Sequence, residues 1–185
     1  MNVAVYSGSF NPLHRGHEAI IRFLTEEAGF DVVYLVVTPQ NPFKSAHSRP
    51  TGRERFEAAA EAVKRHPDLK VKVLDTELNM PAPQYTVNTL DLLKSNEPQN
   101  DFTLVIGADN LESFSGWRFH ERILLEYGVV VFPRKGYHRG YAKARLLREN
   151  PAYRITLLEA PLVTISSTEI REGTAKGLDM SGWLM

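Results

Sequence analysis

The stretch that decides the fold is Val3-Ala4-Val5-Tyr6-Ser7-Gly8-Ser9-Phe10-Asn11-Pro12-Leu13-His14-Arg15-Gly16-His17. Residues 3–6 are a short apolar strand, and residues 7–12 are a turn of Gly, Ser, Asn and Pro. From residue 15 to 28, apolar side chains at Ala19, Ile20, Phe23, Leu24 and Ala28 recur at helical spacing, and Gly29 stops the run. Residues 31–37 then supply Val32, Val33, Tyr34, Leu35, Val36 and Val37, which read as a strand buried on both faces. Strand, turn, helix and buried strand in this order make a βαβ unit.

The alternation continues outward from that unit. Thr51, with Glu54 three residues on, predicts a capping box opening a second helix that runs to about His66, where Pro67 ends it. Residues 71–74 form the third strand, and Pro81 and Pro83 mark a loop. Residues 86–94 are helical, with Val87, Leu90 and Leu93 on one face. Residues 102–106 are a strand ending at Gly107, followed by helical turns holding Leu111, Phe114, Trp117, Ile123 and Leu124. A buried strand (128–132), a basic helix (140–149), a last strand (154–158) and a short helix (168–172) complete the chain. The expectation is an α/β fold, a single domain over residues 1–185 with a parallel sheet covered by helices on both faces. Ligands in such sheets bind beyond the carboxyl ends of the strands. That singles out three loops: 7–17, 38–49 and 107–117.

Composition narrows the function classes. The 185 residues are 43% hydrophobic and 24% charged, so a mostly disordered chain is excluded. Twenty-two basic residues balance 22 acidic ones, which argues against broad nucleic-acid binding. The longest apolar runs fall far short of the ~18 residues that span a bilayer, so no membrane partner is expected. No leader is visible, and without cysteine there is neither a disulfide nor a thiolate zinc site. These features fit a cytoplasmic protein. The sequence leaves open whether the chain is a monomer or a homo-oligomer.

Neither a Walker A pattern nor Gly-x-Gly-x-x-Gly occurs, so the two commonest phosphate cradles are absent. The first loop offers another. Gly8 permits a tight exit from the strand and close approach of a ligand to backbone. His14 and His17, three apart, share a face of the first helical turn, where free N–H groups and the helix dipole favour an anion. Gly16 between them removes a side chain that would block a bulky phosphate. Two imidazoles at a helix start make a clamp for a polyphosphate whose charge shifts during reaction. The alternative is a pair of exposed surface histidines. A metal site is a third option, but no third ligand is obvious and His-Glu-x-x-His is absent. Near the other end, Ile165-Ser166-Ser167-Thr168-Glu169-Ile170-Arg171 places hydroxyls, free N–H groups and a guanidinium in one turn, with Ser167 or Thr168 as the cap. By itself that segment is an ordinary capped helix. Of seven basic residues between 134 and 154, most read as a solvated face, and Arg134 alone follows a strand end directly.

Taken together these segments carry a resemblance. Residues 8–17 resemble the G-[ST]-F-[DN]-P-x-H-x-G-H signature of the nucleotidyltransferase superfamily, and residues 165–171 its I-S-S-T-x-I-R signature. Pro83-Gln84-Tyr85-Thr86-Val87-Asn88-Thr89-Leu90 looks like the S-Y-T-x-D-T-L segment of nicotinate-nucleotide adenylyltransferases, with Gln84 for the usual Ser and Asn88 for the usual Asp. Ile106-Gly107-Ala108-Asp109-Asn110-Leu111, then Trp117, looks like their I-G-A-D-x-L…W, and residues 38–44 match their substrate loop. Members usually carry a further segment after the Ser-Ser-Thr helix, whereas this sequence stops at Met185.

The resemblance implies a Rossmann-like, doubly wound fold and transfer of AMP from ATP to nicotinate mononucleotide, giving deamido-NAD and pyrophosphate, with no covalent enzyme intermediate. Such chemistry depends on positioning and charge neutralisation. His14 and His17 would hold the ATP phosphates, His17 nearest the α-phosphate, with Ser167, Thr168 and Arg171 on the β- and γ-phosphates. Mg²⁺ would ride on those phosphate oxygens and water. His14, His17 and Arg171 are thus the catalytic candidates. Gly8, Ser9 and Phe10 would line the nucleotide, and Gly107 and Asp109 would face the ribose. On the acceptor side Trp117 would stack the pyridine ring, and the helix start at Tyr85 and Thr86 would receive the nicotinate carboxylate. Lys44 and Arg134 would meet mononucleotide or diphosphate oxygens. Competing readings are an adenylyltransferase for nicotinamide mononucleotide or phosphopantetheine, and a non-catalytic nucleotide sensor of the same fold.

Overall fold

The structure, a computed structural model, describes residues 1–39 and 50–185. Lys44 and most of the expected substrate loop, residues 40–49, lie outside the described residues. Six strands form one parallel sheet: β1 (Asn2–Gly8), β2 (Val32–Val37), β3 (Val71–Leu74), β4 (Asp101–Gly107), β5 (Val129–Phe132) and β6 (Ile155–Leu157). Their spatial order is β3-β2-β1-β4-β5-β6, and every neighbouring pair is parallel. This is the doubly wound arrangement expected from the alternation, and it puts the topological switch point between β1 and β4.

Period-two alternation assigns the two cores. Val3, Val5, Tyr34, Val36, Leu104 and Ile106 face one side, where α3 (Thr86–Asn96) contributes Val87, Leu90 and Leu93 and α6 (Arg139–Glu149) contributes Ala142 and Leu146. Ala4, Tyr6, Val33, Leu35 and Val105 face the other, against Ile20, Ile21 and Leu24 of α1 (Arg15–Glu26) and Ala59 and Ala62 of α2 (Gly52–Lys64). One of these helices, α2, opens with the capping box that the sequence predicts. Thr51 accepts from the Glu54 amide at 3.1 Å while Glu54 accepts from the Thr51 amide at 3.0 Å. After α1, Gly29 takes φ +82°, a left-handed conformation suited to glycine.

Three short helical pieces follow β4: α4 (Ala108–Glu112), a 3₁₀ turn (Phe114–Gly116) and α5 (His120–Arg122), which runs on into a π turn (Ile123–Tyr127). The basic stretch is only partly a solvated face. Arg139 donates to the carbonyls of Val131 and Leu158, tying the ends of β5 and β6, and Arg145 donates to the Glu112 carbonyl at 2.7 Å. Periodicity could not separate these two from their solvated neighbours, because the partners are backbone oxygens of remote elements. The chain closes with α7 (Ser167–Ala175) and a tail whose last residue, Met185, is buried beside α2, where Arg65 donates to its carbonyl oxygen at 2.9 Å. No helix among the described residues is long and apolar enough to cross a membrane.

Candidate active site

At the carboxyl end of β1 the chain turns into α1 through two interlocked imidazoles. His14 is the N-cap, and its Nδ1 accepts from the Gly16 amide at 3.0 Å; His17 Nδ1 accepts from the His14 amide at 3.1 Å. The pair forms a capping box with histidines in place of the usual hydroxyl and carboxylate. Neither is the exposed surface residue of the alternative reading: His14 is 3% exposed, His17 is half-buried, and their rings stack with centroids 3.7 Å apart.

These bonds set the tautomers. Because each Nδ1 accepts a hydrogen bond, each neutral imidazole carries its proton on Nε2, the nitrogen left for a ligand. Burial lowers the His14 pKa to about 4, with the Arg134 charge adding to the effect. Burial likewise holds His17 well below the usual imidazole value, helped by the charges of His14 and Arg134. At neutral pH the clamp is therefore two neutral N–H donors, and the positive charge at the site comes from arginine.

The turn leading there is strained. Phe10 has φ +46°, which costs a bulky residue about 1–2 kcal/mol. Its ring folds over Gly8, where a Cβ would stand 3.1 Å from the Phe10 Cζ, and meets His17 edge-on at 5.2 Å. Arg55 of α2, 4% exposed, donates to the Ser9 carbonyl at 2.7 Å and holds the turn from behind. Gly16 has a reason other than the one expected. A Cβ there would fall on Val163 Cγ1 and lie 2.8 Å from His14 Cε1, so the missing side chain makes room for packing that seats the imidazole.

The second motif folds onto the first. The α7 cap is Ser166, rather than Ser167 or Thr168, in a capping box with Glu169. That frees Ser167 to donate to the Pro12 carbonyl at 2.9 Å. Arg171 donates to the Asn11 carbonyl at 2.6 Å and to Thr168 Oγ1 at 3.2 Å. Two turns some 155–160 residues apart in sequence thus share one wall. Between them lies a cavity of about 270 Å³, lined by Gly8, Ser9, Phe10, His14, His17, Gly107, Arg134, Ser167, Thr168 and Arg171 among others.

Across the switch point, Gly107 ends β4 opposite Phe132 of β5. A Cβ at Gly107 would stand 2.5 Å from Asp109 Oδ1 and 3.1 Å from Arg134 Nε. Asp109 pairs with Arg134 at 3.5 Å instead of lining the cavity, and its neighbour Asn110 takes that place. Ser7 Oγ is buried with no hydrogen-bond partner among the described residues, and buried Asp109 Oδ1 and Arg134 Nε likewise lack a hydrogen bond and have only their mutual ion pair. Such orphans are uncommon in a finished interior, and here they gather where the two halves of the sheet part.

A second cavity of about 730 Å³ adjoins the first, with Ser7 and Asn110 lining both. Trp117 and Thr86 stand on its wall with Thr38, Gln84 and Glu77. Trp117 is half-buried, one face tilted against Phe114 at 4.8 Å. Tyr85, the N-cap of α3, lies under the Arg118 guanidinium, 5.3 Å from its ring centroid, and is not among the lining residues. Glu77 is 4% exposed, accepts from Thr89 Oγ1 at 2.8 Å, and has its pKa raised by burial. Sequence reading missed Tyr6, Ser7, Arg55, Glu77 and Asn110. Of these, Tyr6 and Ser7 had a local signal, standing between a strand and a glycine turn. The rest arrive by tertiary packing.

The chain matches the family described as cytidylyltransferase-like over residues 5–173. It is 40% identical over 171 residues to a protein of Cytophaga hutchinsonii named "Probable nicotinate-nucleotide adenylyltransferase", covering 92% of this chain and 84% of that one. A Bacteroides fragilis protein of the same name is 37% identical over 180 residues, covering 97% and 85%. Among solved structures, Plasmodium falciparum nicotinic acid mononucleotide adenylyltransferase complexed with NaAD superposes with a TM-score of 0.75 at 20% identity, covering 99% of this chain and 90% of that one. At that identity the likeness bears on the fold.

Proposed function

This chain belongs to the cytidylyltransferase-like family, and on that premise we infer that it is a nicotinate-nucleotide adenylyltransferase, transferring AMP from ATP to nicotinate mononucleotide in NAD biosynthesis. The observation that carries the reading is the convergence of two neutral Nε2–H imidazoles with Arg171 on one cavity, beside a larger cavity walled by Trp117.

The reaction exchanges one phosphoanhydride for another. The mononucleotide phosphate attacks the α-phosphorus in line as the bond to the pyrophosphate oxygen breaks, so no protein nucleophile is needed. His14 and His17 donate from Nε2 to oxygens of the triphosphate, which gain charge in the transition state. As neutral donors fixed by backbone bonds, they need no reorganisation when that happens. Ser167, Thr168 and Arg171 hold the leaving pyrophosphate, and Gly8, Ser9, Phe10 and Gly107 line the nucleotide. Among the described residues the cavity lining includes no carboxylate to hold a resident ion, so Mg²⁺ would be held by the ATP phosphates and water and would supply charge neutralisation there. Asp109 acts by holding Arg134, which lines the nucleotide cavity, rather than by touching the ribose itself. Trp117 stacks the pyridine ring, and the α3 start at Tyr85 and Thr86 favours the nicotinate carboxylate over a neutral amide. Lys44 is assigned to the acceptor phosphate on the family resemblance alone. A cytoplasmic location suits this chemistry.

The test is pyrophosphate release from ATP and Mg²⁺ with each mononucleotide. Turnover with nicotinate mononucleotide well above that with the amide is expected. Binding of ATP without turnover of any acceptor would replace the enzyme by a nucleotide sensor.

A further inference from the structure

The geometry points to the Tyr6 hydroxyl as an additional nucleotide-binding donor, contacting an oxygen of the ATP held in the same cavity. Tyr6 sits on the central strand β1, in register with Val105 of β4. Its ring is wedged edge-on between Phe10 at 5.5 Å and Phe132 at 5.8 Å, with His17 at 6.1 Å. The side chain is 7% exposed and stands on the wall of the 270 Å³ cavity.

The ring alone satisfies that packing, and a phenylalanine would fill the same space. The hydroxyl adds a polar atom at the floor of the site, where a buried group without a partner is costly. No described residue gives it a hydrogen bond. It is also not among the sealed atoms that lack a hydrogen bond (Ser7 Oγ, Asp109 Oδ1 and Arg134 Nε), so it opens on the cavity rather than lying beneath it. Burial keeps the phenol protonated, with Arg134 opposing and Asp109 reinforcing that effect, so it stands ready to donate. The lining includes the two Nε2–H imidazoles and the guanidiniums of Arg134 and Arg171, which only donate, together with hydroxyls of Ser9, Ser167 and Thr168 that can donate, so an oxygen-rich ligand is the matching occupant.

This inference rests on the ATP reading of the cavity, and Tyr6→Phe isolates the hydroxyl while keeping the ring. ATP binding to wild type and Y6F is measured by calorimetry without acceptor, and steady-state constants are taken for both substrates. The expected result is a 2–10-fold rise in the ATP Kd and KM, with kcat within twofold and the acceptor KM unmoved, as for one neutral hydrogen bond. Equal ATP affinity in Y6F, in a wild type that binds and turns over ATP, would sink the Tyr6 assignment alone and leave a phenol bonded only to water. A rise in both KM values together would make Tyr6 a structural residue. A wild type that binds no ATP would overturn this inference and the functional reading at once.

Discussion

The guanidinium of Arg171 donates to the carbonyl oxygen of Asn11 at 2.6 Å, across 160 residues of sequence. This bond joins the helix that closes the cavity to the turn that opens it. One substituent of the same guanidinium is held by Thr168, so its charge is aimed by backbone and side chain together. Replacing Arg171 by Ala removes a charge-assisted donor from the leaving-group end, worth about 1.5–3 kcal/mol, or roughly 10–100-fold in kcat/KM. Lysine is expected to recover little, because one ammonium cannot reproduce a planar fork that reaches two oxygens. Steady-state kinetics of R171A and R171K check this, and near-wild-type rates in R171K would contradict it.

The second prediction concerns Gly16. A methyl group there falls on Val163 and the His14 ring, so Gly16→Ala must displace one of them. Overpacking of this kind costs about 1–3 kcal/mol, which thermal unfolding would read as a lowered Tm. Activity should fall with it, since His14 loses its seat. The paired change Gly16→Ala with Val163→Ala is expected to regain part of both.

Protonation of the clamp supplies a third. A histidine whose folded pKa is depressed contributes stability that is complete above its unfolded value near 6.5. That contribution is lost as pH falls through 6.5 toward the folded pKa, because the unfolded chain binds the proton more tightly in that interval. For His14 the window runs from about 6.5 to about 4, and His17 shifts in the same direction. Denaturant unfolding of the ligand-free protein between pH 7 and 4 should therefore show falling stability, and His14→Gln should flatten part of the slope. An NMR titration midpoint near 6.5 for His14 would contradict this account.

Trp117 yields the fourth prediction. Its stacking on Phe114 leaves the other face toward the larger cavity. Trp117→Ala should raise the acceptor KM by roughly tenfold, from an aromatic contact worth about 0.5–1.5 kcal/mol plus lost buried area, while the ATP KM stays within about twofold. Equal effects on both substrates would mean that the indole supports the whole crevice rather than the acceptor.

Much of the fold was legible in the chain. Unbroken apolar runs rich in valine, such as Val32–Val37, cannot face water on either side, so they had to be interior strands of a parallel sheet. The Thr51 and Glu54 capping box also read correctly, because both partners lie within one turn. The Ser166 cap was misplaced by one or two residues, since three hydroxyls in a row offer the same local chemistry. Arg139 and Arg55 were invisible as structural residues: their partners, carbonyls at Val131 and Ser9, belong to other elements.

By itself the sequence determined the strand and helix alternation, the location of the loops beyond the strand ends, and the residue types that can grip phosphate. Those are local properties, set by side-chain periodicity and by turn and cap chemistry. Only the tertiary structure decided how the histidines work. Burial and two backbone bonds make them neutral Nε2–H donors, where the sequence offered two ionisable rings. Only the tertiary structure, too, drew Arg171 onto Asn11, gave Gly16 its packing role and set Asp109 against Arg134. The physical reason is the same in each case: desolvation and contact depend on what lies across space, and a linear pattern carries no record of it.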